Sequence, residues 1–256
     1  TQVWRRPNPG PPVQGVHMVG VADGTVLGYR FPADISAPSR IVGMAAADGA
    51  ERWSAPLSDG SAVFTGQPQH AALLGSTVFF VDAARTRIEA RQVRTGALRW
   101  STPFPAGSAC TPLVAGGQSY AMCAPRAEVA AVDVAHPALR TLDPDTGTLG
   151  GPARIDGYLR PMGAAQDGSL VALEERRQGR AFDGYTRIVR FDPHTGRISS
   201  APVRRYPGTV PGMAGGTLYF AGKEGLIHAV DPATGKEEWS AATGVEAVSG
   251  PVLAHG

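Results

Sequence analysis

Cys110 and Cys123, six dispersed histidines and one arginine-rich segment are the side chains of this sequence most able to do chemistry. Two thiols can close a disulfide or stay reduced. With no adjacent cysteine pair and no Cys-x-x-Cys, redox catalysis has no support. Histidines 17, 70, 136, 194, 228 and 255 show no metal-ligand spacing. His228 lies in the β-prone run Leu226–Val230 and reads as a packed side chain. No Gly-x-Ser-x-Gly, P-loop or His-Glu-x-x-His occurs, and the acidic residues mostly mark turns or exposed strand positions. The richest segment runs from Glu174 to Thr186. There Arg176, Arg177 and Arg180 offer bidentate contacts to an anion, beside Phe182 and Tyr185 as aromatic anchors. The same arginines can instead pair with Glu174, Glu175 and Asp183 in a solvated hairpin. The sequence therefore offers a candidate partner-binding loop and no catalytic, cofactor or metal constellation.

The elements that must carry this loop are written as repeats. Asp231-Pro-Ala-Thr-Gly235 returns as Asp192-Pro-His-Thr-Gly196 and Asp143-Pro-Asp-Thr-Gly147, with degraded copies ending at Gly96 and Gly49. The spacings of 47, 51, 49 and 39 residues indicate a repeat architecture. Asp caps the following amides, Pro presets φ, and Gly takes the positive φ that ends the turn, so each copy joins two antiparallel strands. Trp53, Trp100 and Trp239 each follow such a glycine by four residues, placing a large ring at the same point of three units. Gly151 and Ser200 stand there in the other two, so the packing between units cannot be uniform.

A second signal precedes the first in every unit. Asp23-Gly24, Gly75-Ser76, Gly116-Gly117, Asp167-Gly168 and Gly215-Gly216 read as two-residue hairpin turns of the primed type. The unit is then four antiparallel strands, A to D, which is a β-propeller blade. The expected fold is all-β, with five complete blades at about 13–54, 68–101, 108–152, 159–202 and 208–241. Partial strands at 3–5 and 250–254 point to a segment of a longer chain forming one propeller domain. Connections between strands B and C are long in three blades, so one face is compact and the other elaborated, and the elaborated face is the expected place for binding.

The hairpin register also places the cysteines. With Gly116-Gly117 at the turn, Cys110 lies across from Cys123 as a non-hydrogen-bonded pair, whose Cα atoms are held roughly 4.5 Å apart. A cross-strand disulfide is the favoured reading over two buried thiols. It contributes roughly 3 kcal/mol in the chain-entropy model and argues for an oxidising compartment.

Bulk composition excludes several classes. The 256 residues carry a net charge of +2 and 43% hydrophobic residues, an ordinary globular balance with no electrostatic footprint for nucleic acid and no apolar run long enough to span a membrane. Only Lys223 and Lys236 among the 24 basic residues are lysine, a bias of GC-rich genomes. Thr1 is not an initiator, so processed ends are expected, and a kinase or membrane anchor upstream is compatible with the chain.

The run Ala229 to Trp239, preceded by Gly216-Thr-Leu-Tyr-Phe220, resembles the repeat of the pyrroloquinoline-quinone-type propellers. The resemblance covers essentially the whole chain and implies the fold. It implies one of two activities. The family's dehydrogenases oxidise alcohols or sugars with quinone and Ca²⁺, using ligands that include Asn and often an adjacent cysteine pair. Here Asn8 is the single asparagine and the cysteines are separated. The resemblance therefore implies the other branch, a binding or scaffolding module without cofactor. Such a module works outside the bacterial cytoplasm on a protein or cell-envelope ligand, as a kinase sensor or an envelope assembly protein; quinoprotein dehydrogenase is the alternative.

Overall fold

The structure is a computed structural model and describes residues 15–31, 38–58, 71–127, 137–155, 158–178, 181–203, 211–221 and 225–244. The expected strands at 3–5 and 250–254, and Arg180, lie outside these residues. Blade 1 is built from β1 (Gly15–Ala22), β2 (Thr25–Phe31), β3 (Arg40–Ala45) and β4 (Glu51–Pro56). Blade 2 comprises β5 (Ala71–Leu74), β6 (Thr77–Val81), β7 (Arg87–Gln92) and β8 (Leu98–Pro103). Blade 3 comprises β9 (Ser108–Ala115), β10 (Gln118–Pro125), β11 (Ala138–Thr141) and β12 (Ala153–Arg154). In blade 4 these are β13 (Tyr158–Ala164), β14 (Leu170–Gln178), β15 (Ala181–Phe191) and β16 (Ile198–Pro202). Blade 5 ends the series with β17 (Gly212–Ala214), β18 (Thr217–Ala221), β19 (Leu226–Val230) and β20 (Glu237–Ala242). Each sheet keeps its strands in sequence order, so every connection within a blade is a hairpin. The fold class is an all-β propeller of four-stranded antiparallel blades.

The turns explain the register. In every C–D turn the glycine N–H donates to the carbonyl four residues earlier, as from Gly147 to Asp143 and from Gly235 to Asp231, both at 2.9 Å. The glycines take φ near +70°, from 67° at Gly235 to 75° at Gly147. Among the A–B hairpins, Asp23-Gly24, Gly116-Gly117 and Gly215-Gly216 have positive φ at both central residues, the expected primed geometry. Blade 4 departs from it. Its last A–B pair is Ala164 with Leu170, and only Gly168 of Asp167-Gly168 has positive φ. The Asp167 carboxylate accepts from the Ser169 amide at 3.1 Å, which stabilises a longer loop in place of a two-residue turn.

The chain packs as two compact units, one holding blades 1 and 2 with most of blade 3, the other holding blades 4 and 5. In the first unit the cores lie between consecutive blades. Leu27, Tyr29, Ile41 and Leu57 of the blade 1 segment meet Val78, Phe80 and Val93 of blade 2. Phe79, Ile88 and Ala90 of blade 2 meet Cys110, Ala121, Cys123 and Leu142 of blade 3. In the second unit, Val171, Leu173, Tyr185 and Ile188 of blade 4 meet Leu218, Phe220 and Val230 of blade 5. A four-stranded blade is apolar on both faces, and sharing each face with a neighbour removes that surface from water at roughly 25 cal/mol per Å².

Candidate functional site

The recurrent tryptophans dock blade to blade in the first unit. Trp53 of β4 donates from Nε1 to the Val93 carbonyl at 2.7 Å and lies over Gly96, where a Cβ would stand 2.5 Å from the ring. Trp100 of β8 repeats this: Nε1 donates to Pro144 O at 2.9 Å, the ring covers Gly147, and Arg99 stands 3.7 Å from Asp145. Within their own sheets Trp53, Trp100 and Trp239 face the small residues Gly43, Ala90 and Ala229, each beside a register shift. Blade 4 lacks the ring, pairs β15 with β16 without a shift, and has Arg190 opposite Ser199. Trp239 is 47% exposed and contacts Tyr219 with ring centroids 6.0 Å apart.

Cys110 and Cys123 form a disulfide, with Cα atoms 4.0 Å apart, inside the core shared by blades 2 and 3. His228 is fully buried, its Nδ1 2.8 Å from a Glu237 carboxylate oxygen and its ring 5.1 Å from that of Phe220. It is packed in strand C, as its sequence position suggests.

The arginine-rich loop of blade 4 is a strand hairpin. β14 and β15 stay paired out to Gln178 opposite Ala181, with Arg176 opposite Gly184 and Arg177 opposite Phe182. β13 pairs with β14 only as far as Glu175, and β16 pairs with β15 only back to Arg187. Residues 176–178 and 181–184 therefore form a two-stranded ribbon extending past the four-stranded sheet. Tyr185, at the base of the ribbon, is buried in the core shared by blades 4 and 5, where it ties that base down. Glu174 pairs with Arg187, and the buried Glu175 accepts from Arg160 Nε at 2.9 Å. Both carboxylates thus brace the sheet beneath the ribbon.

A second place was not legible in the residue types. At the turn end of blades 4 and 5, opposite the ribbon, a polar cleft of about 300 Å³ is lined by Asp167, Arg190, Thr217, Asp231 and Glu238 among others. Arg190 donates to Asp167 at 2.6 Å, and its Nε is buried without an acceptor among the described residues. The Ser169 amide holds the Asp167 carboxyl below the usual carboxylate range, with Arg190 adding to the effect. The Ala233 amide does the same for Asp231, helped by Thr234 and Arg190. The signal was Arg190 itself, standing where other blades carry Gly43, Ala90 or Ala229. Among the described residues, no group of three His, Cys, Asp or Glu side chains is placed to hold a metal ion. No helix of the described residues is long and apolar enough to cross a membrane.

The sequence matches the family described as outer membrane protein assembly factor BamB over residues 1–201 and again over 184–256. BamB from Moraxella catarrhalis is 17% identical, over 87% of this chain and 63% of its own, at a TM-score of 0.47. The quinohemoprotein alcohol dehydrogenase from Comamonas testosteroni is 14% identical, over 88% of this chain and 43% of its own, at 0.52. A chain in a nidogen/laminin complex is 18% identical, over 90% of this chain and 80% of its own, at 0.49. At these identities the likeness is one of fold, and this chain spans less than two thirds of the first two proteins. No curated protein matches the sequence. The repeated Asp-x-x-Thr-Gly turns, the docked tryptophans and a family match running from end to end agree: the chain belongs to the BamB family of pyrroloquinoline-quinone-like propellers.

Proposed function

We propose that this chain is a non-catalytic binding or scaffolding module working outside the cytoplasm, with the blade 4 ribbon as its contact for a protein or anionic envelope partner. The observation that carries the reading is the ribbon itself, whose backbone continues through Arg176, Arg177 and Phe182 past the end of the four-stranded sheet. Loops set on a rigid propeller are where binding concentrates, and arginine with an aromatic neighbour is the composition of an interaction hot spot. The family match and the disulfide support an envelope setting.

The test compares the chain with its Arg176→Ser/Arg177→Ser/Arg180→Ser variant for equilibrium binding to solubilised bacterial envelope proteins. The variant is expected to bind at least about tenfold more weakly, the loss of one charge-assisted contact or more, with an unchanged melting temperature. Equal binding removes the ribbon from the reading. A separate titration with pyrroloquinoline quinone and Ca²⁺ addresses catalysis: no saturable uptake is expected, and dye reduction with alcohols would overturn the non-catalytic part.

A further inference from the structure

Blade 4 departs from the other blades in three ways, and all three meet at its seam with blade 5. Ser200 stands where blades 1, 2 and 5 carry a tryptophan, and Arg190 stands where they carry Gly43, Ala90 and Ala229. In blade 1 the small residue admits the ring, since a Cβ on Gly43 would stand 2.3 Å from the Trp53 indole. An arginine at that position claims the same space. The third departure is the A–B loop: residues 165–169 connect Ala164 to Leu170, where blade 5 turns directly from Ala214 to Thr217. The longer loop reaches the next blade. Gln166 Nε2 donates to the Gly215 carbonyl at 3.0 Å, across the seam. Asp167 accepts from Arg190 within blade 4 and holds it in the cleft that Asp231 and Glu238 of blade 5 also line. Arg190 carries the one positive charge among the described residues lining that cleft, and only 18% of its side chain is exposed. Gly235 of blade 5 meets the Pro202 carbonyl and the Ala201 side chain where Gly96 and Gly147 meet an indole.

We infer that these departures form one device: a polar latch, with Arg190 as the reaching charge and Asp167 aiming it, closes the turn end of the blade 4–5 seam in place of an indole and loosens with ionic strength. The apolar core of Val171, Leu173, Leu218 and Phe220 holds the two blades together at any salt concentration. The latch governs how often the turn end opens. Its attraction runs from Arg190 to Asp231 and Glu238, and Arg190 adds to the Ala233 amide and Thr234 in keeping the Asp231 carboxyl ionised. Asp167 has the opposite sign toward the same two carboxylates, so the seam is attractive only while Arg190 stands between them. Charges across a part-exposed cleft are screened as the Debye length falls from roughly 10 Å at 0.1 M salt to 3 Å at 1 M. The seam between blades 1 and 2 lacks this dependence, because there an indole packs on Gly96 and donates to the neutral Val93 carbonyl.

Amide hydrogen exchange of the whole chain at about 0.05 and 1 M NaCl tests this. The Asp231 and Gly235 amides of blade 5 make the same two turn bonds as Gln92 and Gly96 of blade 2, which serve as the internal reference. High salt should speed exchange at the blade 5 pair about threefold relative to the blade 2 pair. Arg190→Gln leaves Asp167 against Asp231 and Glu238, so exchange should be faster at low salt and the salt response should change sign. Adding Asp167→Asn to that variant removes the repulsion and should leave little salt response. Glu238→Gln, at an exposed position of β20, should shrink the parent response at an unchanged melting temperature. Equal salt responses in the two blades overturn the proposal, as does an Arg190→Gln chain that keeps the parent's sign. Should Arg190→Gln fail to fold, an undiminished response in Glu238→Gln overturns it as well.

Discussion

Gly147 and Gly196 occupy the same turn position with nearly the same backbone, φ of 75° and 69°, yet their surroundings differ. A Cβ at Gly147 would stand 2.3 Å from Thr102 Oγ1 and 2.5 Å from the Trp100 ring, whereas one at Gly196 would meet nothing within 4 Å. Alanine at Gly196 should therefore cost only the left-handed backbone penalty, about 1–2 kcal/mol. Alanine at Gly147 adds the displacement of a docked indole, about 1–3 kcal/mol more. Urea unfolding of the two variants separates the terms, and equal losses would mean that the tryptophan contact adds nothing. The residue scale is also where sequence reading fell shortest. Tyr185 reads as an exposed anchor because it sits in a polar, charged run, yet it is 6% exposed in the core. Residue type does not say on which side of a ribbon's base a ring turns. Arg190 was passed over for a related reason, since its setting depends on which turns of two blades converge.

At the scale of the turn, one carboxylate holds several donors. Asp143 accepts from the Thr146 and Asp145 amides, Asp192 from the Thr195 hydroxyl and the His194 amide, and Asp231 from the Ala233 amide and the Thr234 hydroxyl. These bonds favour the ionised form, so all three carboxyls lie below their ordinary value. A depressed folded-state pKa contributes stability that is fully present above the unfolded value of about 4 and lost as pH falls through the folded one. The melting temperature should fall as pH drops below about 4, and less steeply after Asp192→Asn, which keeps one acceptor oxygen for the His194 and Thr195 amides but cannot titrate. An unaltered pH profile would deny the turn this role. This element was fully legible because its mechanism is local: five residues decide it, wherever the blade sits. The primed hairpins were legible for the same reason. The loop at Asp167 was not, because its dipeptide fits both a two-residue turn and a longer one capped by the aspartate.

Across the whole molecule, stability comes from faces shared between blades, and the disulfide lies within one of them. Reduction should lower stability by roughly 3 kcal/mol, the loop-closure entropy regained by the unfolded chain, which for a protein of this size lowers the melting temperature by roughly 6–10 °C. Thermal unfolding with and without reductant measures it, and no shift would place the bridge outside the stability of the first unit. The five blades of the described residues and their strand order could be read from periodicity, because each blade repeats one local plan, and the cysteine pairing from the register of one hairpin. The cleft at the turn end could not, because it depends on which turns of blades 4 and 5 come together.

The anchoring of the ribbon has its own consequence. An isolated two-stranded ribbon is marginally stable in water, so the order of this one is borrowed through Tyr185 from apolar packing that also includes Leu218, Phe220 and Val230. A ligand gripping the tip would pull on that shared interior and repay the loan: occupancy at the far end of blade 4 would slow amide exchange in blade 5, at strands it never touches.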